Sequence, residues 1–307
     1  MILFIFEGAK YEPPLYEGIK SLFFPRSKDQ VLCSFCNSIY KFYKSLKDDF
    51  DGFADVVDVL KIEKKKTDPT NEIFNYKSSD FESIYLFFDY DFYKGDIATK
   101  NAQIQELLEY FNEETENGKL FISYPMIESI QYTKELPDAS FHTYTVSRED
   151  SKGETFKKTA RQFCHYNGYA YLKDIKNWEH LIKQNVWKAN MLTSDTLSWP
   201  DDKDNVEQIP VFEAQVNKHV TPSNEVAILN AFPMFLYYYI TIFHKTNSKQ
   251  TFLLRVANNG YSFFCIFCKV KQSKAIKSTS KSRLYLLYIF AFRDSILSYE
   301  SIAINSI

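Results

Sequence analysis

The stretches LFIFEGAKYEP (3–13) and IYLFFDYDFY (84–93) decide the fold. Each begins with a near-continuous apolar run of strand length and ends in acidic residues. A strand buried on both faces needs such a run, and strands of this kind belong to parallel sheets covered by helices. After the first strand (1–6) comes the turn Glu7-Gly8, and then Pro13 and Pro14, which suit the first turn of a helix reaching about residue 24. The second stretch gives a strand at 83–88 that runs directly into Asp89-Tyr90-Asp91.

Working outward, 30–47 reads as a helix, DVVDVLKI (55–62) as a further strand, and KIEKKKTDPTNE as a charged loop. An amphipathic helix is expected over 97–115, with Ile104, Leu107, Leu108 and Phe111 at helical spacing and Asn117-Gly118 as its stop. A short strand follows at 119–123, and Pro125 opens the next expected helix. Strands alternating with helices imply an α/β fold with a parallel sheet flanked by helices. Beyond about residue 142 the pattern turns helical, with a polar loop at 194–209 and helix again over 211–239, broken near Thr221-Pro222. The expected organisation is a catalytic domain over 1–135, a mainly helical extension over 136–240 packed on it, and a basic tail over 241–307.

With 307 residues, 45% hydrophobic and 25% charged, the chain has the composition of a globular protein with ample core. The longest apolar stretch, 231–243, is broken by Pro233 and falls short of the ~20 residues that span a bilayer. The N-terminus lacks the basic segment and cleavage site of a signal peptide, so a soluble, cytoplasmic protein with no membrane association is expected. The net charge of −2 hides an asymmetry: 241–307 carries ten Lys or Arg against Asp294 and Glu300, while the remainder holds 27 basic and 37 acidic residues. Such a segment suits contact with phosphates, a solvated loop or a foreign extension. Of five cysteines, two pairs have CxxC spacing, Cys33 with Cys36 and Cys265 with Cys268. Neither has the glycine-rich surroundings of a zinc ribbon, so buried free thiols are expected over zinc.

In open α/β sheets ligands bind beyond the carboxyl ends of the strands. Glu7 and the pair Asp89 and Asp91 occupy such ends. Two carboxylates at i and i+2 of an extended segment share a face, and like charges that close call for a cation between them. Mg2+, which takes oxygen ligands, answers that need and supports in-line phosphoryl displacement. Acids after strands also cap helices without chemistry, and DxD alone is a weak signal. None of the five histidines has metal-ligand spacing, and no Walker A, GxSxG or HExxH sequence is present.

The order LFIFEGAKYEP then IYLFFDYDFY resembles the toprim domain of topoisomerases, primases and OLD-type nucleases, and more closely the small RloB-like and abortive-infection toprim proteins of phage defence. The resemblance covers about residues 1–135 well and 136–240 loosely, the latter through AILNAFPMFLYYYI (227–240). Tyr11 stands where that family has a small polar residue, and Tyr124 where it often has Asn. The resemblance implies that Glu7 acts in acid/base chemistry, that Asp89 and Asp91 bind Mg2+ (with Mn2+ able to substitute), and that Glu12 and Glu128 complete the carboxylate cluster. Lys10 is the candidate phosphate contact and Lys188 a candidate catalytic cation, each with the alternative of a solvated lysine. The implied activity is a Mg2+-dependent nuclease acting on DNA or RNA, transfer RNA included, as the effector of an anti-phage system with a separate ATPase as sensor. The alternatives are a catalytically silent toprim-fold binding protein, or a nucleotide phosphatase or nucleotidyltransferase. Aromatics of 232–239, if exposed, suit a partner or homo-oligomer interface.

Overall fold

The computed structural model describes residues 1–24, 30–47, 52–93 and 95–245, the side chains of 241–245 excepted. The basic tail and the pair Cys265 and Cys268 therefore lie outside the described residues. At the centre is a five-stranded sheet in the order β2-β1-β3-β5-β4, built from β1 (Ile2–Phe6), β2 (Gln30–Ser34), β3 (Ser83–Asp89), β4 (Asn112–Glu113) and β5 (Gly118–Ser123). β1 pairs parallel with both β2 and β3, and β3 parallel with β5; only the two-residue edge strand β4 is antiparallel. The chain is thus α/β with a mostly parallel sheet flanked by helices.

Strand alternation sorts the aromatic residues onto two faces. On one, Phe4, Phe6, Tyr85, Phe87 and Phe121 meet α1 (Glu12–Phe23) and α9 (Ala231–Lys245), with Phe87 and Phe232 stacked at 4.7 Å and Phe4 edge-on to Phe235 at 5.8 Å. On the other, Phe88 stacks on Phe42 of α2 (Ile39–Lys47) at 4.8 Å, and Phe42 in turn on Phe111 at the end of α4 (Ile97–Tyr110). Each such ring contributes about 1.5–3 kcal/mol by burial. Most aromatics of 232–239 are consequently core: Phe232 and Phe235 are fully buried, Tyr237 and Tyr238 nearly so, and Tyr239 is half-buried against them, which removes the first four as an exposed interface.

Several elements differ from the sequence expectation, two of them in type. DVVDVLKI is not a strand but the start of α3 (Val56–Thr67), because Asp55 caps it, its carboxylate accepting from the N–H of Val57 and of Asp58. The helix continues through most of the expected charged loop. Conversely, QVLCS is a strand rather than helix, and its residues 31–34 pair with 3–6 of β1. A five-residue apolar segment satisfies either period, and tertiary pairing decides.

Beyond the sheet, β6 (Thr145–Ser147) pairs antiparallel with β7 (Glu225–Ala227). Between them lie α5 (Gly153–Phe163), the long α6 (Ile175–Ser194), and α7 (Gln208–Gln215), which passes through a π turn (Val216–Val220) into α8 (Thr221–Ser223). The region read as mainly helical therefore includes a small second sheet. Pro125 does not open a helix either. Tyr124 stays extended, exchanging backbone hydrogen bonds with Leu229 at 2.8 and 3.2 Å, and a 3-10 turn (Ile127–Gln131) follows.

Candidate active site

Strand order reverses at β1: the chain moves from β1 to β2 on one side, then crosses to β3 and β5 on the other. Such a reversal opens a crevice at the carboxyl ends of the two strands on either side of it. Glu7 follows β1 there, and Asp89 is the last residue of β3. The Glu7 carboxylate spans the gap, its Oε2 accepting the Asp89 N–H at 2.9 Å, while the Glu7 N–H donates to the Phe87 carbonyl at 2.9 Å. Asp89 continues the odd-numbered set of β3 and so points to the α1 side of the sheet.

Glu12, in the first turn of α1, is buried, and its Oε1 accepts the Gly8 N–H at 3.0 Å. This contact explains the glycine: a Cβ at position 8 would lie 3.0 Å from Glu12 Oε2 and 3.1 Å from Oε1. Glu128, in the 3-10 turn after β5, is also buried. Neither of its oxygens accepts a hydrogen bond, and Lys157 of α5 stands 3.6 Å from Oε1 as an ion-pair partner. Asp91 departs from the expected geometry. β3 ends at Asp89, and Asp91 is not extended but left-handed, at φ 48°, with its N–H donating to the Pro125 carbonyl at 3.2 Å. Aspartate is one of the few residues that visits this region, at a cost of roughly 1–2 kcal/mol. Tyr40 of α2 fixes the turn from beneath, donating to the Tyr90 carbonyl at 2.6 Å.

The electrostatics join these groups into one cluster. Burial pushes the Asp89 carboxyl well above the ordinary range, and Glu7, Glu12, Glu128 and Asp91 add to the shift in that order. Burial also raises Glu128, against the field of Lys157. Lys157 is itself raised: burial opposes its charge, but Glu128, Glu154 and Asp89 outweigh it. Five carboxylates thus act on one another, and Lys157 is paired with one of them, Glu128.

All donors of this cluster are carboxylate oxygens, the set that Mg2+ prefers, and Glu128 presents two buried oxygens that no protein N–H or O–H reaches. By donor chemistry the residues fit that ion. Among the described residues, however, no three His, Cys, Asp or Glu side chains converge on one point as they stand. The Cys33 and Cys36 pair does not converge either: Cys33 is buried in β2, its thiol pushed up to about 12 mainly by burial, whereas Cys36 is exposed.

Lys10 lies exposed at the head of α1, its ammonium 5.2 Å from the Tyr11 ring centroid. Lys188 is placed elsewhere. It is buried in α6 and donates to the carbonyls of Phe141 and Tyr144, with the Phe141 ring 5.0 Å away. Burial pushes its ammonium well below the ordinary range. Lys188 is therefore not solvated, and its donors are directed at the backbone rather than at the carboxylates. Lys157 takes the position beside the cluster. The sequence offered no signal for Lys157 beyond a place on the amphipathic GETFKKTARQF segment.

No helix among the described residues is long and apolar enough to cross a membrane. In comparisons with known proteins, no family model, no curated protein and no solved structure matched the chain.

Proposed function

We propose that this chain is a Mg2+-dependent nuclease with a toprim-type catalytic centre, hydrolysing phosphodiester bonds in DNA or RNA. The observation that carries the reading is the bond from the Asp89 N–H to the Glu7 carboxylate across the β1/β3 crevice, surrounded by Glu12, Glu128 and Asp91. A buried cluster of like charges is costly, and a cation relieves the cost. Asp89, Asp91, Glu12 and Glu128 are the residues that would hold the ion. When bound, it would polarise a phosphoryl oxygen and lower the pKa of a nucleophilic water.

The chain's own residues have distinct parts. Glu7, oriented by the Asp89 N–H, is the group to accept and return a proton during attack on phosphorus. Lys157, paired with Glu128, and Lys10, exposed at the entrance, supply positive charge toward the phosphate. A role as the toxic effector of a phage-defence system, restrained by a separate ATPase, belongs to the same proposal and rests on the toprim resemblance.

The test is cleavage of plasmid DNA and total cellular RNA with and without Mg2+, beside Glu7→Ala and Asp89→Ala. Metal-dependent cutting that both variants lose supports the reading and identifies the substrate. No cutting, together with no heat of Mg2+ binding, would leave a silent binding protein instead.

A further inference from the structure

Beside the carboxylates lies an open groove of about 220 Å³. Its floor is apolar, formed by Leu15 and Pro14 of α1 with Ile127 and Leu172; Tyr11 and Tyr169 form its walls, and Lys10 and Lys173 stand exposed at its rim. Two of these residues adjoin the cluster through the chain itself, since Tyr11 precedes Glu12 and Ile127 precedes Glu128. Tyr169 feels the same cluster: burial raises its phenol foremost, followed by the fields of Glu128, Tyr11 and Glu12.

We infer that this groove is a nucleobase pocket, and that the substrate is therefore single-stranded or locally unpaired nucleic acid. The inference rests on the nuclease reading for the identity of the neighbouring site, and three observations support it. First, the groove, at about 220 Å³, has room for a planar ring system. Second, the combination of aromatic faces, an apolar floor and rim cations matches what one nucleotide presents. A base stacks on an aromatic side chain in a sequence-tolerant way, while its phosphate meets ammonium groups. Around Tyr11 the ammoniums of Lys10 and Lys157 lie 5.2 and 6.0 Å from the ring centroid. Third, Gly18 lines the groove from the interior of α1, where glycine costs about 0.5–1 kcal/mol relative to alanine. A Cβ there would meet nothing within 4 Å, so no packing contact demands the glycine. What its missing side chain leaves open is the groove.

A base can enter such a pocket only after leaving its stack, which costs least in a single strand. Seated there, a nucleotide places its own phosphate beside Glu12 and Glu128. The pocket thus chooses single strands, or bases turned out of a helix, by geometry rather than by reading an edge.

The test uses the full chain carrying Asp89→Asn, which suppresses cutting, and measures fluorescence anisotropy with labelled single-stranded DNA and RNA 12-mers and their duplexes. Single strands are expected to bind more tightly than duplexes. Adding Tyr11→Ala, or Gly18→Phe to fill the groove, should weaken single-strand binding about 5- to 100-fold, while Tyr11→Trp should retain it. Circular dichroism confirms that each variant is folded. Unchanged single-strand affinity in folded Tyr11→Ala and Gly18→Phe would overturn the pocket, as would duplex binding equal to single-strand binding. Binding to neither would overturn the pocket together with the nucleic-acid substrate. Pocket-dependent binding by a chain whose parent cuts nothing would support the pocket and remove the nuclease reading alone.

Discussion

Two buried polar clusters lie within a few residues of each other along the chain, and they are built on opposite principles. Around Asn230 every group is paired. Its N–H donates to Asn185 Oδ1, its Nδ2 to the Ile127 carbonyl and to Ser129 Oγ, and its Oδ1 accepts from the Phe232 N–H. Ser129 in turn donates to the Leu229 carbonyl, and Gln215 closes both its donor and acceptor on Ala227. Glu128 lies between Ile127 and Ser129, both held by Asn230, yet its own oxygens accept no hydrogen bond. A satisfied amide network fixes a backbone; a buried set of like charges, in which Glu128 accepts no hydrogen bond, is an arrangement that a bound cation would relieve. The first holds the second in position.

The sharpest way to break this contrast is through Asp89. Asp89→Asn is expected to lower Mg2+-dependent cleavage on the order of 10²–10³-fold, as loss of an electrostatic catalytic group does. A smaller loss in single-turnover rates would show that the cluster is not the reacting centre. Next in size, Asn230→Ala should destabilise the fold by about 2–4 kcal/mol, because it leaves the Ile127 carbonyl, the Ser129 hydroxyl oxygen and the Phe232 N–H without the side chain that pairs them. Urea melts measure the loss. The same variant should weaken Mg2+ binding in the folded population, since the turn bearing Glu128 loses its anchor.

The charge that sets the carboxylates apart from the neutral amide network gives a third outcome. The Asp89 carboxyl is raised in the folded chain, by burial first and then by four neighbouring carboxylates. The native state therefore holds this proton to a higher pH than the unfolded chain does, and stability falls as pH rises above the ordinary carboxylate range. In metal-free protein Asp89→Asn should flatten that fall and raise Tm at neutral pH by a few degrees, about 2–4 °C per kcal/mol for a domain of this size. Added Mg2+ should raise Tm in the parent and much less in Asp89→Asn. A variant that is less stable than its parent at neutral pH would contradict the picture of stored repulsion.

The carboxyl ends of β1 and β3 were legible because continuous apolar runs ended in acids, a local pattern with a direct physical cause. Glu12 and Glu128 were reached through the resemblance, and the structure brings both into the field of Asp89. Three things escaped inspection of the sequence. The conformation of Asp91 depends on a hydrogen bond to Pro125, 34 positions away, so extended i and i+2 geometry did not apply. β2 and α3 were exchanged in type, because QVLCS and DVVDVLKI suit either period until pairing with β1 and capping by Asp55 decide. The contacts of Lys157 with Glu128, of Asn185 with Asn230, and of Asn230 with Ile127 and Ser129 cross long separations, and no spacing rule finds them. Lys188 shows the converse. A basic residue in a helix looked chemical, yet its ammonium holds the Phe141 and Tyr144 carbonyls. Lys188→Met should accordingly cost about 1–3 kcal/mol of stability while the folded fraction keeps its cleavage rate.

The smallest expected effect concerns the ion pair between Glu128 and Lys157 of α5. Glu128 is raised by burial, and Lys157 at 3.6 Å counters the rise. Removing that cation in Lys157→Met takes away a field that opposes burial, so the Glu128 carboxyl moves further up. Because the cluster binds a cation only when ionised, the acid limb of the Mg2+-binding profile should shift to higher pH. Binding at alkaline pH should change little. Titration calorimetry across pH reads the two limbs separately. A uniform loss of affinity at every pH would instead mean that Lys157 shapes the fold of α5 rather than the charge of Glu128. An unshifted profile would mean that Glu128 stands outside the ion's field, leaving Glu7, Glu12, Asp89 and Asp91 to carry the site.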